Sequence, residues 1–263
     1  MEPIGAYADD LRLALEIADE VDSLTAANFA SEDLTVELKP DDTPVTAIDR
    51  EAERLVRARI AAARPDDAFV GEEYGATGDS TRQWIVDPID GTKNYIRAVP
   101  VWATLIALVD RGEPVVGVVS APALGRRWFA AAGAGAWGSS PTADVHRLSV
   151  SSAASLAEAS LSYSSLSGWE ERGLLPAFLD LTRSVWRTRA YGDFWSYMMV
   201  AEGQVDLACE PELALHDMAA LVPIVQEAGG RFTSLAGEPG PFGADALATN
   251  GMLHDETLRR LRG

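Results

Sequence analysis

The chain has 263 residues, 47% hydrophobic and 24% charged, a globular composition long enough for one large domain or two that share an interface. Its 40 acidic against 22 basic residues leave a formal charge of -18, which repels a nucleic-acid backbone and an anionic membrane alike, so neither is expected as a partner. A single cysteine, Cys209, excludes an intrachain disulfide and a thiolate zinc cluster; with no secretory or membrane-spanning pattern, the expected setting is the cytoplasm.

Residues 5–29 place Leu11, Leu15, Ala18, Val21, Asp22 and Leu24 in a mostly three-and-four rhythm that predicts an amphipathic helix. A short strand is expected at "LTVELK". In "TPVTAIDREAERLVRARIAAARP" Asp49 follows Thr46 at capping-box spacing, so a second helix should start there and end at Pro65. "AFVGEE" and "QWIVD" read as strands on either side of a turn-rich "YGATGDSTR". "WATLIALVD", "PVVGVVSAP" and "RRWFAAA" are β-type runs joined by short turns, which predicts antiparallel hairpins. From Pro141 to Ser155 the composition turns to Ser, Ala, Thr and Pro, and a division into subdomains 1–145 and 146–263 is expected there. The second half alternates strands at "ASLSYSS", "VWRTRA", "VDLACE", "RFTSL" and "ALATN" with helices near 170–183, 193–202 and 217–228 and a closing helix. Such alternation implies an α/β layered fold.

"WIVDPIDGTKNY", residues 84–95, sets Asp87 and Asp90 behind an apolar run whose backbone is expected to turn at Pro88. Two ionised carboxylates so close repel each other unless one keeps a proton or a cation lies between them. Magnesium prefers hard oxygen ligands, and the carbonyl of Ile89 would be aimed by the same turn. Gly91 lets the main chain approach a ligand closely, the amides after it favour an anion, and Thr92 can relay a proton. Upstream, "GEE" adds Glu72 and Glu73 at a strand end; downstream, Asp217 opens the apolar run "MAALVPIVQEAGG". Each has a plainer reading: Asp87 as a turn former, Glu72 and Glu73 as a solvated edge, Asp217 as a charge complementing a helix dipole. A shared cation site accounts for all of them at once. The Asp-x-Asp-x-Thr sequence of haloacid-dehalogenase-like phosphatases is a near relative in pattern, but Asp-x-x-Asp-Gly-Thr is one residue longer, which spoils that nucleophile geometry.

The blocks "DTPVTAID", "GEE", "WIVDPIDGTKNY" and "HDMAALVPIVQEAGG" resemble the inositol monophosphatase family of magnesium-dependent phosphatases, in that family's order across residues 42–230. The resemblance implies an α-β-α-β-α sandwich, a homodimer, and two or three Mg2+ ions per subunit. One ion would sit on Glu72, Asp87 and the Ile89 carbonyl, a second on Asp87, Asp90 and Asp217, and a third near Glu72. Asp49, Glu72 and Thr92 would orient and deprotonate the attacking water, the Gly91 and Thr92 amides would hold phosphate oxygens, and no phosphoenzyme is implied. Where the family has Trp before the late Asp, this chain has His216, expected to fill the same volume because an isolated histidine is usually structural. His146 and His254 are expected to have no role.

In this family the stretch matching "RAYGDFWSYMMVAEGQVDLACEPE" faces the leaving group, which implies substrate contacts from Asp193 and Glu210 beside Asp217. Inositol is a neutral polyol, whereas histidinol phosphate offers an ammonium and an imidazole, better partners for two carboxylates. With "GRRWFAA", "RLSVSS", "SYSSLSGW" and "RAYGDF", the pattern is similar to the histidinol-phosphate phosphatases of this superfamily. The alternatives are an inositol phosphate, with Asp193 as a helix N-cap and Glu210 on hydroxyls; an adenosine bisphosphate, for which no clear basic cluster is present; and a non-enzymatic interaction protein. Arg189 is expected either to meet the substrate or to pair with Asp193. Trp169, Trp186 and Trp195 either line the pocket or belong to the core, and Lys93 either attracts the anion or is merely exposed.

Overall fold

The computed structural model describes residues 5–31, 34–39 and 44–262. Asp42 and Thr43, which open the first signature block, lie outside them. Helices α1 (Ala8–Asn28) and α2 (Ala47–Ala63) flank a two-stranded antiparallel ladder of β1 (Val36–Leu38) and β2 (Pro44–Thr46). The expected capping box is present: Thr46 Oγ1 accepts the Ile48 and Asp49 amides, and the Asp49 carboxylate accepts the Thr46 amide.

Strands β3 (Ala68–Gly71), β4 (Gly75–Thr77), β5 (Arg82–Asp90), β6 (Ala103–Asp110), β7 (Glu113–Ala121), β8 (Arg126–Ala131), β9 (Ala136–Ser140) and β10 (Ala143–Arg147) form one sheet, ordered β10-β9-β8-β7-β6-β5-β3-β4. Its pairs are antiparallel except β3 with β5. Helix α3 (Thr92–Tyr95) follows β5 directly. Edge strand β4 lies inside the stretch expected to be only turn, and β10 crosses the expected division at 145/146. The irregular link to the second sheet runs over 148–159.

That second sheet holds β11 (Ser160–Ser162), β12 (Arg187–Arg189), β13 (Leu207–Glu210), β14 (Arg231–Thr233) and β15 (Ala246–Thr249), ordered β12-β11-β13-β15-β14. Helices α4 (Ser167–Glu171), α5 (Leu175–Ser184), α6 (Asp193–Ala201), α7 (Leu215–Met218), α8 (Leu221–Glu227) and α9 (His254–Arg262) complete the chain. Two helices thus occupy each stretch where one was expected, 170–183 and 217–228.

Strand periodicity builds the layers, because alternate side chains leave a strand on opposite faces. Trp84 and Val86 of β5 pack with Leu11 and Ile17 of α1 and Val56 and Ile60 of α2. Ile85, between them, packs on the other face with Phe194 and Met198 of α6 and Leu221 and Val225 of α8. The second sheet repeats the device: Ala208 joins that same middle layer, while Leu207 and Cys209 face Trp169 of α4, Phe178 of α5 and Leu258 of α9. The result is the α-β-α-β-α sandwich. Among the described residues no helix is long and apolar enough to cross a membrane.

Candidate active site

The two aspartates of "WIVDPIDGTKNY" sit inside a strand rather than after it. Strand β5 continues through Pro88 to Asp90, and its register against β6 shifts between Asp87 (opposite Leu105) and Asp90 (opposite Ala103). A bulge of this kind re-aims side chains without ending the strand. Thr104 Oγ1 holds it by donating to the Pro88 carbonyl at 2.9 Å, and the Ile89 amide donates back to Asp87 Oδ1 at 3.0 Å. Gly91 then turns the chain at φ 86°, where a Cβ would lie 2.9 Å from the Val101 carbonyl oxygen. Glycine alone fits there without strain.

Helix α7 packs against the end of β5 and brings in the distant Asp217. Its Oδ2 accepts the Ala214 amide at 2.7 Å, so this residue does serve its own helix N-terminus, yet it also completes a cluster. Oxygens of Asp87, Asp90 and Asp217 lie within 4.8 Å of one another, as do donor atoms of Glu72, Asp87 and His216. Asp87 belongs to both groups and is 2% exposed. Burial, followed by the charges of Glu72, Asp90 and Asp217, pushes its carboxyl well above the ordinary range; burial, then Asp193 and Asp217, does the same to Asp90. Glu72 Oε2 is buried without a hydrogen-bond partner among the described residues. Mutually repelling hard oxygens with an orphaned acceptor among them fit a divalent cation, which would supply the missing positive charge.

Asp49 is fully buried, its carboxyl raised by burial. Thr92 Oγ1 stands between Asp49 Oδ1 at 3.4 Å and the Ile89 carbonyl at 3.0 Å. Glu72 is fixed by Lys39, whose Nζ lies 2.7 Å from one oxygen of Glu72 and one of Glu73. Glu73 is therefore no solvated edge; its side chain is 4% exposed. Beneath both, Glu53 on α2 accepts the Glu73 and Tyr74 amides and pairs with Arg57. The sequence reading missed Lys39 and Glu53. Glu53 left a signal, a carboxylate one helical turn after Asp49 on the buried face of α2.

A cavity of about 600 Å³ opens over this cluster, lined by Lys39, Glu72, Asp90, Gly91, Thr92, Lys93, Asp193, His216 and Asp217 among others. At its far side Asp90 Oδ2 accepts the Phe194 amide at 2.9 Å, tying the metal-type cluster to the start of α6. Asp193 is not an N-cap: it sits at φ 48°, donates its amide to Ser164 Oγ, and accepts from Asn94 Nδ2 at 2.9 Å. Burial, then Asp217, pushes its carboxyl up to about 6. Glu210, at the end of β13, lines a second cavity, of about 240 Å³, with Ser165 and Ser167. Its Oε1 has no hydrogen-bond partner among the described residues, and burial pushes the carboxyl up to about 8.

Several expected residues lie elsewhere or act otherwise. Arg189 is exposed at the end of β12, donates to the Thr188 carbonyl, and lines neither cavity. Trp169 is core, stacked on Phe178; Trp186 is exposed; Trp195 is half-buried beside Tyr191. Lys93 is exposed on the cavity rim. His146 is exposed, and His254 is buried between Thr233 and Thr249. His216 departs most from expectation: instead of filling core volume it is half-buried on the cavity wall, with Nε2 3.5 Å from Asp217 Oδ1.

A profile of the inositol monophosphatase family matches residues 8–262. The histidinol-phosphatase of Streptomyces coelicolor is 60% identical over 256 residues, 96% of each chain. That of Mycobacterium tuberculosis is 59% identical over 254 residues, 96% of this chain and 98% of that one. Among solved structures, an inositol monophosphatase from Zymomonas mobilis superposes with a TM-score of 0.87 at 32% identity, covering 99% of this chain and 100% of its own. The carboxylate cluster, the layered fold and these likenesses agree, and the chain belongs to the inositol monophosphatase family, a family of magnesium-dependent phosphatases.

Proposed function

We propose that this chain is a magnesium-dependent phosphomonoesterase that hydrolyses L-histidinol phosphate to L-histidinol and phosphate. The observation that carries the chemistry is Asp87, a buried carboxylate shared by two cation-competent groups whose other members line one cavity. Glu72, Asp87 and the Ile89 carbonyl would hold one Mg2+, and Asp87, Asp90 and Asp217 a second, with a third drawn toward Glu72. When bound, these ions supply Lewis acidity, lowering the pKa of the attacking water and neutralising charge on the leaving oxygen. The chain's own groups move the proton. The Thr92 hydroxyl accepts from the water and donates to Asp49 Oδ1, in a carboxylate whose other oxygen, Oδ2, is already held by the Thr46 amide. Glu72 orients the same water, and the Gly91 and Thr92 amides take the phosphate oxygens.

Substrate choice rests on Asp193 and Glu210. Glu210 is buried and Asp193 half-buried, both have raised pKa values, and Glu210 Oε1 has no hydrogen-bond partner among the described residues. An ammonium and an imidazolium satisfy such groups better than neutral hydroxyls do. The names of the 59% and 60% identical relatives support the same reading. We assign most metal ligands to the part of the chain that ends with β10 and leaving-group recognition, with Asp217, to the part after the 148–159 link. A homodimer in the cytoplasm is the proposed setting.

Phosphate release from histidinol phosphate, inositol 1-phosphate and adenosine 3',5'-bisphosphate, with Mg2+ and then with chelator, tests the proposal. Histidinol phosphate should be the best substrate, and chelator should abolish release. Faster turnover of either other ester, or chelator-resistant activity, would refute it. Glu210→Gln should lower kcat/KM on histidinol phosphate about ten- to a hundredfold, the value of a hydrogen bond to a charged group, and spare a simple aryl phosphate. Equal losses on both would remove Glu210 from leaving-group recognition.

A further inference from the structure

We propose that His216 is a nitrogen ligand to the ion held by Glu72 and Asp87, and that it biases this position toward Mn2+ over Mg2+. The inference rests on the metal-site reading above and adds a donor of a different kind to it.

Three observations support the assignment. A ring nitrogen of His216 lies within 4.8 Å of carboxylate oxygens of both Glu72 and Asp87, a spread that one ion can draw together. Among the described residues the ring makes no hydrogen bond. Its Nε2 is 3.5 Å from Asp217 Oδ1, beyond the usual N–H···O range, while Asp217 Oδ2 is already engaged by the Ala214 amide. Finally, Glu72 Oε2 is buried with no hydrogen-bond partner among the described residues.

The position of His216 in the chain makes the contact specific. Its neighbour Asp217 faces the Asp87–Asp90 group, so consecutive residues at the start of α7 serve the two cation positions that share Asp87. A single shift of α7 would therefore move a donor at both positions together.

The chemical consequence follows from donor type. An all-oxygen position suits Mg2+, which keeps waters and demands near-octahedral geometry. Replacing one oxygen or water by imidazole nitrogen favours transition ions over Mg2+, with affinity at N/O sites lowest for Mn2+ and rising to a maximum at Cu2+. The two positions of this site are thereby made unequal: one carboxylate-only in side chains, the other mixed.

The test is spectroscopic and needs no turnover. Mn2+ is added to the full chain, and pulsed EPR is used to look for 14N coupling from a directly bound nitrogen. Mn2+ and Mg2+ affinities are measured by calorimetry in parallel. Wild type should show the 14N coupling. His216→Asn and His216→Trp should lose it and bind Mn2+ about tenfold more weakly or worse, with a much smaller change for Mg2+. His216→Trp retains an aromatic ring without the donor, and circular dichroism confirms that each variant is folded. Mn2+ bound with no 14N coupling, or with coupling that survives both substitutions, would overturn the role of His216 and leave the carboxylate site standing. Failure of wild type to bind Mn2+ at all would overturn both.

Discussion

At Asp90, one carboxylate has two tasks that a single substitution separates. Oδ2 holds the Phe194 amide, and the group also belongs to the Asp87–Asp90–Asp217 cluster. Asp90→Asn keeps an acceptor for the amide but removes the negative charge. We expect kcat to fall about a hundredfold or more, the scale of losing a few kcal/mol of metal-based stabilisation, with circular dichroism unchanged. Wild-type turnover by the folded variant would remove Asp90 from the site. His254 poses the complementary case, a titratable group with a structural task. It is fully buried and hydrogen-bonded to Thr233 and Thr249, and burial holds its pKa down to about 4 from 6.5. Between those values the unfolded chain takes up a proton that the folded chain refuses. Stability from this group is thus complete above pH 6.5 and is lost as pH falls toward 4, by up to about 3 kcal/mol. His254→Gln should flatten that part of the pH dependence in urea unfolding; an unchanged slope would show that other groups set it.

Elements position the site through contacts that a local reading of sequence finds unevenly. Helix α2 presents Asp49 and Glu53 on its buried face, and Glu53 reaches across to the turn after β3 that carries Glu72 and Glu73. Gly71 leaves the space for it, since a Cβ there would lie 2.0 Å from Glu53 Oε1. Glu53→Ala orphans two amides in that turn and should cost about 2 kcal/mol or more, with a loss of Mg2+ affinity as Glu72 loosens. Unchanged calorimetric affinity would show that Lys39 alone positions Glu72. The sequence announced α2 by its capping box and β5 to β8 by continuous apolar runs, because burial on both faces leaves long hydrophobic strands. Edge strands β4 and β10 lack that signature: their residues are exposed, so no apolar pattern marks them. The bulge in β5 was hidden for another reason. Pro88 reads as a stop, yet a bulge tolerates a residue that cannot donate to the ladder. The carboxylates were legible as a set because chemistry, not packing, explains their number; Lys39 and His216 were not, because a lone cation and a lone histidine have many ordinary uses.

For the molecule as a whole, the question is how a chain of formal charge -18 binds a phosphate ester. Its anionic residues are not all dispersed in solvent. Asp49, Asp87 and Glu210 are buried, and Asp87, Asp90 and Asp217 converge where two sheets and the α6/α8 layer meet. In the absence of a cation this convergence is a destabilising element, since each carboxyl is desolvated beside others. Cation binding to the folded state alone should therefore stabilise it in proportion to RT ln(1 + [L]/Kd), about 2.7 kcal/mol at a hundredfold excess over Kd. For a domain of this size that corresponds to a rise in Tm of roughly 5 °C or more. Mg2+ should produce it in a concentration-dependent way, and chelator should reverse it. NaCl matched in ionic strength should not reproduce it, because screening acts on exposed charge and leaves a buried cluster largely untouched. The same titration on Asp90→Asn should show a smaller rise. If NaCl matches Mg2+, the effect belongs to the acidic surface, and the buried carboxylates are held as neutral acids in place of cation ligands.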